Sequence, residues 1–477
     1  MYSVVGVAGF WIGARQIVVR GANLIQLLLV ASVVSAGEMG VYAAAVLAYN
    51  FVESITLIGF GHALIQKSEV DDSHISTLFI VNIIRGVVLA GLVFSLAYPV
   101  SRLFSTPEAA KMISFIGLVP LLIGFQHPAM VLLQKELRME KEFMFHVVGA
   151  IVNFISSIVL VNFGFGAWSL IIGMIFQSIS QVIISYWIHK YMPVFRFSLE
   201  AFNAMFQFGK WLMMSQAVKY FSINLPSWVI GHVLGVVALG QYTIGARFSI
   251  SISSELTSLA SSIAFPTFSK YQGDLIQLKK VYLKSQKVVL SLSMLLFSNI
   301  ICVSKLIVEM FIWDGDYSNI VVINVLSVVG LVQSIGSQVD ILKSLGKVRM
   351  IALVNSARLA LVFCFIFWFT RKWGVIGSVS AILLGAVVFT IPVMIIILNT
   401  LKISLLEYFK CFVPPVLAFG LVFGVFEMLS LIDLFGSLRA VLHVIVCSLS
   451  YLFLLFLLDR IFGSCIIEEW MRLFRRK

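Results

Sequence analysis

Residues 373–398 read WGVIGSVSAILLGAVVFTIPVMIIIL, a stretch without a charged residue that decides the fold of the chain. An α-helix rises about 1.5 Å per residue, so roughly 20 mainly apolar residues cross the hydrocarbon layer of a membrane. The apolar run is continuous, whereas a strand of a membrane barrel alternates over about ten residues. The stretch therefore predicts a transmembrane helix.

Similar stretches follow one another along the whole chain. Of its 477 residues 60% are hydrophobic and 12% are charged, whereas soluble domains carry about 25% charged residues. We predict an all-α, polytopic membrane protein of about 14 transmembrane helices with no soluble domain between them. The predicted spans lie near 8–31, 41–65, 75–99, 109–133, 143–163, 165–188, 204–225, 236–264, 288–312, 320–343, 349–370, 373–398, 411–430 and 437–459.

The chain has a net charge of +12, and the uneven distribution of its basic residues indicates its orientation in the membrane. The even-numbered connections between spans, together with the C-terminal tail, hold 22 of the 34 Lys and Arg residues, and the odd-numbered connections hold six. The positive-inside rule then predicts that both termini are cytoplasmic. The basic tail Trp470–Lys477 either lies on anionic membrane lipids or is disordered. No nucleic-acid partner is expected.

The sequence shows no pattern that indicates an enzyme, a metal site or a cofactor. Its five cysteines and seven histidines are dispersed without metal-ligand or disulfide spacing. It contains no phosphate-binding loop, no His-Glu-x-x-His motif and no nucleophile elbow. We therefore expect no covalent chemistry and no cofactor.

An internal repeat appears at an offset of two hundred residues. Gly9, Trp11 and Gln16 correspond to Gly209, Trp211 and Gln216, and Gly40-Val41-Tyr42 corresponds to Gly240-Gln241-Tyr242. A second similarity joins the turns Gly164–Ala167 and Gly374–Gly377. Six predicted spans separate the copies, so both run the same way through the membrane, as in a transporter with parallel repeats. We predict two pseudo-symmetric six-helix lobes, residues 1–195 and 196–400, a central cavity between them, and an extra helix pair with a basic tail at 401–477.

Charged residues inside the spans point to function, because charges in hydrocarbon are costly. The candidates among them are six bases, Arg15, Arg20, Arg85, Lys219, Arg247 and Arg358, and three acids, Glu53, Glu255 and Asp340. Gln16, Arg20 and Asn23 fall on one face of the first helix.

These charges allow two interpretations. In one, the bases with Gln16 and Asn23 line a wet cavity for an anionic, phosphate-bearing substrate, and the acids couple transport to H⁺ or Na⁺. In the other, the charges form structural pairs between helices, such as Arg20 with Glu53, and Arg15 and Arg85 lie near the cytoplasmic interface and extend to it.

Several local motifs resemble a known family. They include Gly13-Ala14-Arg15, Arg20-Gly21, Gly37–Tyr42, Leu133–Arg138, Gly164–Trp168, Leu239–Tyr242, Phe265-Pro266 and Leu345–Lys347. Their order resembles the polysaccharide-transporter branch of the multidrug/oligosaccharidyl-lipid/polysaccharide exporter superfamily, and within it the Wzx-type and colanic-acid-exporter-type flippases. The chain departs from the family at Ser35-Ala36, where a proline is usual nearby.

The resemblance implies a flippase that translocates undecaprenyl-diphosphate-linked oligosaccharide, such as an O-antigen, capsule or exopolysaccharide unit, across the bacterial inner membrane by alternating access. It also implies ion-gradient coupling and contact with polysaccharide polymerase machinery. One alternative is a cation-coupled multidrug antiporter of the same fold, which would favour an acidic cavity. The other is a membrane-embedded polymerase or ligase, which would need longer loops.

Overall fold

A computed structural model describes residues 2–56, 60–61, 64, 71–136, 138–189, 194–311, 317–336, 340–430 and 438–462. Over these ranges all regular secondary structure is helical. Eight of the described helical segments are long and apolar enough to cross a membrane. The chain is therefore a multi-pass, all-α membrane protein, and the number of fourteen spans stays a prediction.

The first compact unit comprises residues 1–244, and its described ranges contain nine helices with defined ends and the start of a tenth. The helices are α1 (Tyr2–Ala31), α2 (Ala36–Thr56), α3 (Asp72–Leu103), α4 (Glu108–Ile116), α5 (Leu118–Gly124), α6 (Met130–Lys135), α7 (Met139–Asn162), α8 (Trp168–Ile188), α9 (Leu199–Leu234) and α10 (Val236–Lys270).

Local sequence explains where several of these helices begin and end. The Asp71 carboxylate accepts the His74 backbone N–H at 3.1 Å and so caps the start of α3, and the Ser198 hydroxyl caps α9 in the same way. Between α7 and α8, Gly164 and Gly166 adopt positive φ, which glycine tolerates without strain.

The predicted span 109–133 is not one helix. It forms the three short helices α4, α5 and α6, with a break at Gly117 and a longer one between Gly124 and Met130. Pro128 lies in the second break, and because proline lacks an N–H group it interrupts the helical hydrogen bonds there.

Helix packing in this unit places α1 against α7, α7 against α8, and α9 against both α2 and α3. The Tyr220 hydroxyl on α9 donates to the Leu47 carbonyl on α2 at 2.8 Å, and the indole of Trp228 donates to the Tyr220 oxygen at 3.1 Å. Helix α9 follows the predicted lobe boundary at residue 195 and is nevertheless part of this compact unit. The division into lobes stays a prediction.

The second compact unit comprises residues 245–477. It contains the rest of α10 and the helices α11 (Leu275–Phe311), α12 (Tyr317–Gly336), α13 (Asp340–Ser344), α14 (Val348–Leu401), α15 (Leu405–Phe409), α16 (Val413–Ser430) and α17 (Leu438–Phe462). Helix α14 covers two predicted spans and is interrupted at Trp373 and Gly374, where Gly374 has a φ of +62°. This turn corresponds to the Gly164 turn in the sequence repeat.

The predicted extra helix pair packs on α11. Helices α16 and α17 contact each other, and both contact α11 around the fully buried Tyr451 and Leu455. The Tyr451 hydroxyl donates to the Ser291 carbonyl at 3.1 Å, and Ser448 donates to the Asn299 side chain at 3.1 Å. Polar side chains thus fix α17 to α11.

Candidate functional site

Arg15 is held by an ion pair between α1 and α7. Its guanidinium contacts the Glu142 carboxylate, which is only 7% exposed, while the Arg15 side chain is 24% exposed. The Gln134 amide donates to the same carboxylate at 2.9 Å, and a ring nitrogen of His146 lies 3.8 Å from it. Arg15 therefore has a protein partner, which favours the structural interpretation for this residue.

Sequence reasoning missed Glu142 as that partner. It lies in the first turn of α7, where acidic residues are common because they interact favourably with the helix dipole. The available signal was its position one residue before the predicted span 143–163, at the same membrane edge as Arg15.

Below this ion pair, α1 and α7 share a buried polar network. The Gln26 amide nitrogen donates to Asn153 at 3.1 Å and to the Ser157 hydroxyl at 2.7 Å. Ser157 donates in turn to the Ser169 carbonyl of α8 at 3.0 Å. The network joins three helices and satisfies polar groups that hydrocarbon cannot.

The remaining predicted residues of α1 lie outside this network. Gln16 is half-buried, Asn23 is exposed, and Arg20 is exposed and close enough to Arg15 for the two charges to interact. The two positive charges repel each other, so an anion bound between Arg15 and Arg20 would be stabilised.

Glu53 and Arg85 are brought together between α2 and α3. The Arg85 Nε donates to the Thr56 carbonyl at 3.0 Å, and its guanidinium interacts electrostatically with Glu53 and Tyr49. The Tyr49 hydroxyl hydrogen-bonds to Glu53. The Arg85 Nη2 is buried and finds no hydrogen-bond partner among the described residues.

Lys219 is exposed on α9, next to the buried Tyr220 that contacts α2. Its neighbour one turn earlier, Gln216, is half-buried. The side chain of Lys219 therefore points away from the packed face of α9.

Three predicted residues of the second unit differ in burial. Arg247 is exposed on α10, whereas Arg358 is half-buried on α14, with its aliphatic stem close to Gly385. Asp340 is buried at the start of α13, and one carboxylate oxygen accepts a hydrogen bond from Lys343 at 2.6 Å. Its other oxygen has no partner among the described residues. The side chain of Glu255 lies outside the described set.

The structure thus brings Arg15 close to Arg20 on α1, and Glu53 of α2 close to Arg85 of α3. A single site that joins the residues of both units stays a prediction. Within the described ranges no group of three or more His, Cys, Asp or Glu residues could hold a metal ion.

A connection outside the spans carries one further titratable group of note. His189 follows α8, and its ring stacks on His127 at a centroid distance of 5.2 Å. Burial, together with the charge of Lys141, lowers the pKa of His189 below its ordinary value. His189 is therefore mainly neutral at pH 7.

Comparison with known proteins identifies a matching family and proteins of similar sequence and fold. A family model described as polysaccharide biosynthesis protein matches residues 29–315. The lipopolysaccharide biosynthesis protein WzxC of Escherichia coli (strain K12) is 24% identical over 331 residues, which cover 69% of this chain and 67% of the relative.

A second relative and a solved structure extend this similarity. The succinoglycan biosynthesis transport protein ExoT of Rhizobium meliloti (strain 1021) is 25% identical over 255 residues, which cover 53% of this chain and 51% of the relative. The lipid II flippase MurJ in an inward closed conformation superposes with a TM-score of 0.69 at 14% identity, covering 95% of this chain and 99% of the other. At that identity the likeness shows a shared fold.

Proposed function

The chain belongs to the polysaccharide biosynthesis protein family, and on that basis we propose that it is a flippase for a lipid-linked oligosaccharide. The cargo would be an oligosaccharide on an undecaprenyl diphosphate, moved from the cytoplasmic to the periplasmic leaflet of a bacterial inner membrane by alternating access. The name of the relative ExoT, a transport protein, supports transport, and the name of WzxC supports a surface polysaccharide.

The observation that carries this proposal is the charge that remains exposed on the helices. Lys219 and Arg247 are exposed on helices that are otherwise largely apolar. A charged side chain that faces hydrocarbon is costly, so these bases are best satisfied by water or by an anionic cargo. A guanidinium offers a planar pair of donors that fits a diphosphate.

The proposed cargo contacts are Arg20, Lys219, Arg247 and Arg358, with Gln16 and Asn23 beside Arg20. Charge-assisted hydrogen bonds contribute about 1.5–3 kcal/mol each, which corresponds to roughly a 10- to 150-fold effect on binding. Arg15 and Arg85 support the cavity indirectly in this proposal, since each has a protein partner.

The test is flipping of a fluorescent isoprenoid-diphosphate sugar in proteoliposomes, read separately for the two leaflets. Each Arg→Gln or Lys→Gln variant at the four cargo positions should slow flipping at least 10-fold with an unchanged Tm. Arg138→Gln, an exposed base outside the predicted spans, is the matched control and should flip normally. If all four variants flip at the wild-type rate, the cargo assignment is wrong.

Ion coupling by Glu53, Glu255 and Asp340 also stays a proposal. Glu53 beside Arg85 and Asp340 beside Lys343 have basic neighbours, which favours structural roles for these two. Imposed pH or Na⁺ gradients in the same vesicles would identify the ion. We also propose cytoplasmic termini, contact with polysaccharide polymerase machinery and no enzymatic activity.

The multidrug antiporter is the less favoured alternative. A cavity for cationic drugs needs net acidic charge, whereas the exposed candidates inside the predicted spans, Arg20, Lys219 and Arg247, are basic. The same vesicles loaded with a cationic dye would detect such an activity directly.

A further inference from the structure

Helices α2 and α10 meet at two glycines, Gly40 and Gly240. A Cβ atom built on Gly40 would lie 1.7 Å from the Val236 carbonyl oxygen, and one built on Gly240 would lie 2.3 Å from the Ala36 carbonyl oxygen. Real Cβ atoms do not approach backbone atoms this closely. The contact is therefore made by backbone against backbone, and only glycine allows it at either position.

The two glycines exchange partners. Gly40 contacts Val236, and Gly240 contacts Ala36. Position 240 is position 40 plus two hundred, and position 236 is position 36 plus two hundred, so the two contacts are equivalent. This is the offset of the sequence repeat. Reciprocal contacts of this kind are typical of an interface crossed by a two-fold axis, where equivalent residues meet each other's neighbours.

A glycine inside a helix is destabilising relative to alanine, so two of them at equivalent positions need a packing reason. In α2 the residues Ala36, Gly40 and Ala44 form a small-residue stripe at four-residue spacing, and Gly40 and Ala44 are buried. Such stripes let helices approach closely in membranes and depend on van der Waals contact instead of polar bonds. A contact of this type can separate without leaving a charge or a hydrogen bond unsatisfied.

Other close contacts between helix ends lie on the same predicted side of the membrane. At the end of α9, a Cβ atom on Gly231 would lie 2.8 Å from the Phe104 ring at the end of α3. The His232 ring nitrogen is 3.1 Å from the Leu103 carbonyl, and the Trp228 and Phe104 rings are 5.5 Å apart. The residues belong to odd-numbered connections or the helix ends beside them, which the charge distribution predicts to be periplasmic.

We propose that Gly40 and Gly240 form the periplasmic seal of the transport path, which closes by direct backbone contact and must separate to release the cargo. This inference rests on the proposed flippase function. Its consequence is that covalent joining of α2 and α10 at this point stops transport, and that any side chain at either glycine keeps the seal from closing.

The first experiment joins the helices through Gly37→Cys and Val237→Cys. A Cβ atom on Gly37 would lie 3.9 Å from Cγ2 of Val237, so cysteine side chains at the two positions lie next to each other. In a background with the five native cysteines replaced by alanine, oxidation should crosslink the pair and slow flipping at least 10-fold. A reductant should restore flipping, and oxidation of the Gly37→Cys single variant should have no effect.

The second experiment measures the seal without measuring transport. The crosslinking rate of the same cysteine pair should fall at least five-fold when Gly40→Ala or Gly240→Ala is added, because the new Cβ atom separates the helices. Gly91→Ala in α3 is the matched control, since a Cβ atom there meets nothing within 4 Å. Its crosslinking rate should not change.

The outcomes separate the two proposals. A crosslinked protein that flips at the uncrosslinked rate, or a folded protein in which the pair never crosslinks, overturns the seal. A starting protein that crosslinks, responds to Gly40→Ala and yet flips no lipid diphosphate overturns the proposed function and the seal as a step of it, while the helix contact stands.

Discussion

Replacing Glu142 with glutamine should loosen α1 from α7 without removing a cargo contact. The substitution preserves the shape of the side chain and an oxygen that can accept from Gln134 at 2.9 Å. It removes the negative charge that pairs with Arg15 and leaves that guanidinium at a largely apolar interface. Arg15→Gln removes the other partner of the same pair.

The magnitude follows from the burial of the two side chains. Removing one partner of a fully buried ion pair costs about 3–5 kcal/mol, and an exposed pair contributes about 0–1 kcal/mol. Glu142 is 7% exposed but Arg15 retains 24% exposure and can regain some water. We therefore expect a loss of about 1–3 kcal/mol. At roughly 2–4 °C per kcal/mol for a domain of 150–250 residues, Tm should fall by about 2–12 °C.

The assay is thermal unfolding of the purified protein in one detergent for wild type, Arg15→Gln, Glu142→Gln and the double variant. If the pair acts as described, the double variant should lose less than the sum of the single losses, with a coupling of about 1–2 kcal/mol. Arg138→Gln is the control, because its ion-pair contacts are 3.7 and 4.0 Å long and exposed. It should shift Tm by less than about 2 °C.

Two results would refute this reasoning. Additive losses, with a coupling below about 0.5 kcal/mol, would mean that Arg15 and Glu142 do not stabilise each other. An Arg15→Gln variant with normal Tm and slow flipping would instead return Arg15 to the cargo site.

Other perturbations test the packing elsewhere. In Gly173→Ala the new Cβ atom would lie 2.1 Å from the Ser157 hydroxyl, so about 1–3 kcal/mol of stability should be lost, whereas Gly420→Ala, with nothing within 4 Å, should show no loss by thermal unfolding. Tyr451→Phe removes the hydrogen bond to Ser291 and should cost about 0.5–1.5 kcal/mol; an unchanged Tm would show that this bond does not hold α17. Hydrogen bonds from His74 and Ser73 hold the pKa of Asp71 below its usual range, so this carboxyl group has a lower pKa in the folded than in the unfolded protein. The stabilisation is present above the unfolded pKa of about 3.9 and is lost as pH falls through the lower folded pKa, so the Tm advantage of wild type over Asp71→Asn at pH 5 should shrink below about pH 4.

Hydropathy predicted the helices well because a membrane imposes one strong condition on every span. Backbone groups in hydrocarbon must bond within their own helix, so continuous apolar runs become helices whatever their neighbours are. The break of 109–133 into α4, α5 and α6 escaped this reasoning, since the interruption depends on local Gly and Pro chemistry that an averaged hydropathy does not register.

The pairing of charges could not be predicted in the same way. Arg15 and Glu142 are 127 residues apart, so no local spacing connects them. The repeat at two hundred residues is visible in the sequence. Its residue types do not indicate that Gly40 packs against Val236 and Gly240 against Ala36. Such contacts depend on how α2 and α10 cross, and that geometry is set by the whole bundle.

The charges that remain after pairing bear most directly on the cargo. Glu142 adds a fourth acid at the membrane edge, so the predicted excess of bases is smaller than the sequence suggested. Pairing Arg15 with Glu142 and placing Arg85 beside Glu53 removes equal numbers of bases and acids. Asp340 is paired with Lys343, the last residue of the predicted span 320–343. Lys219, Arg247 and Arg358 are not among these pairs, so the described helices keep basic side chains that an anionic head group can neutralise.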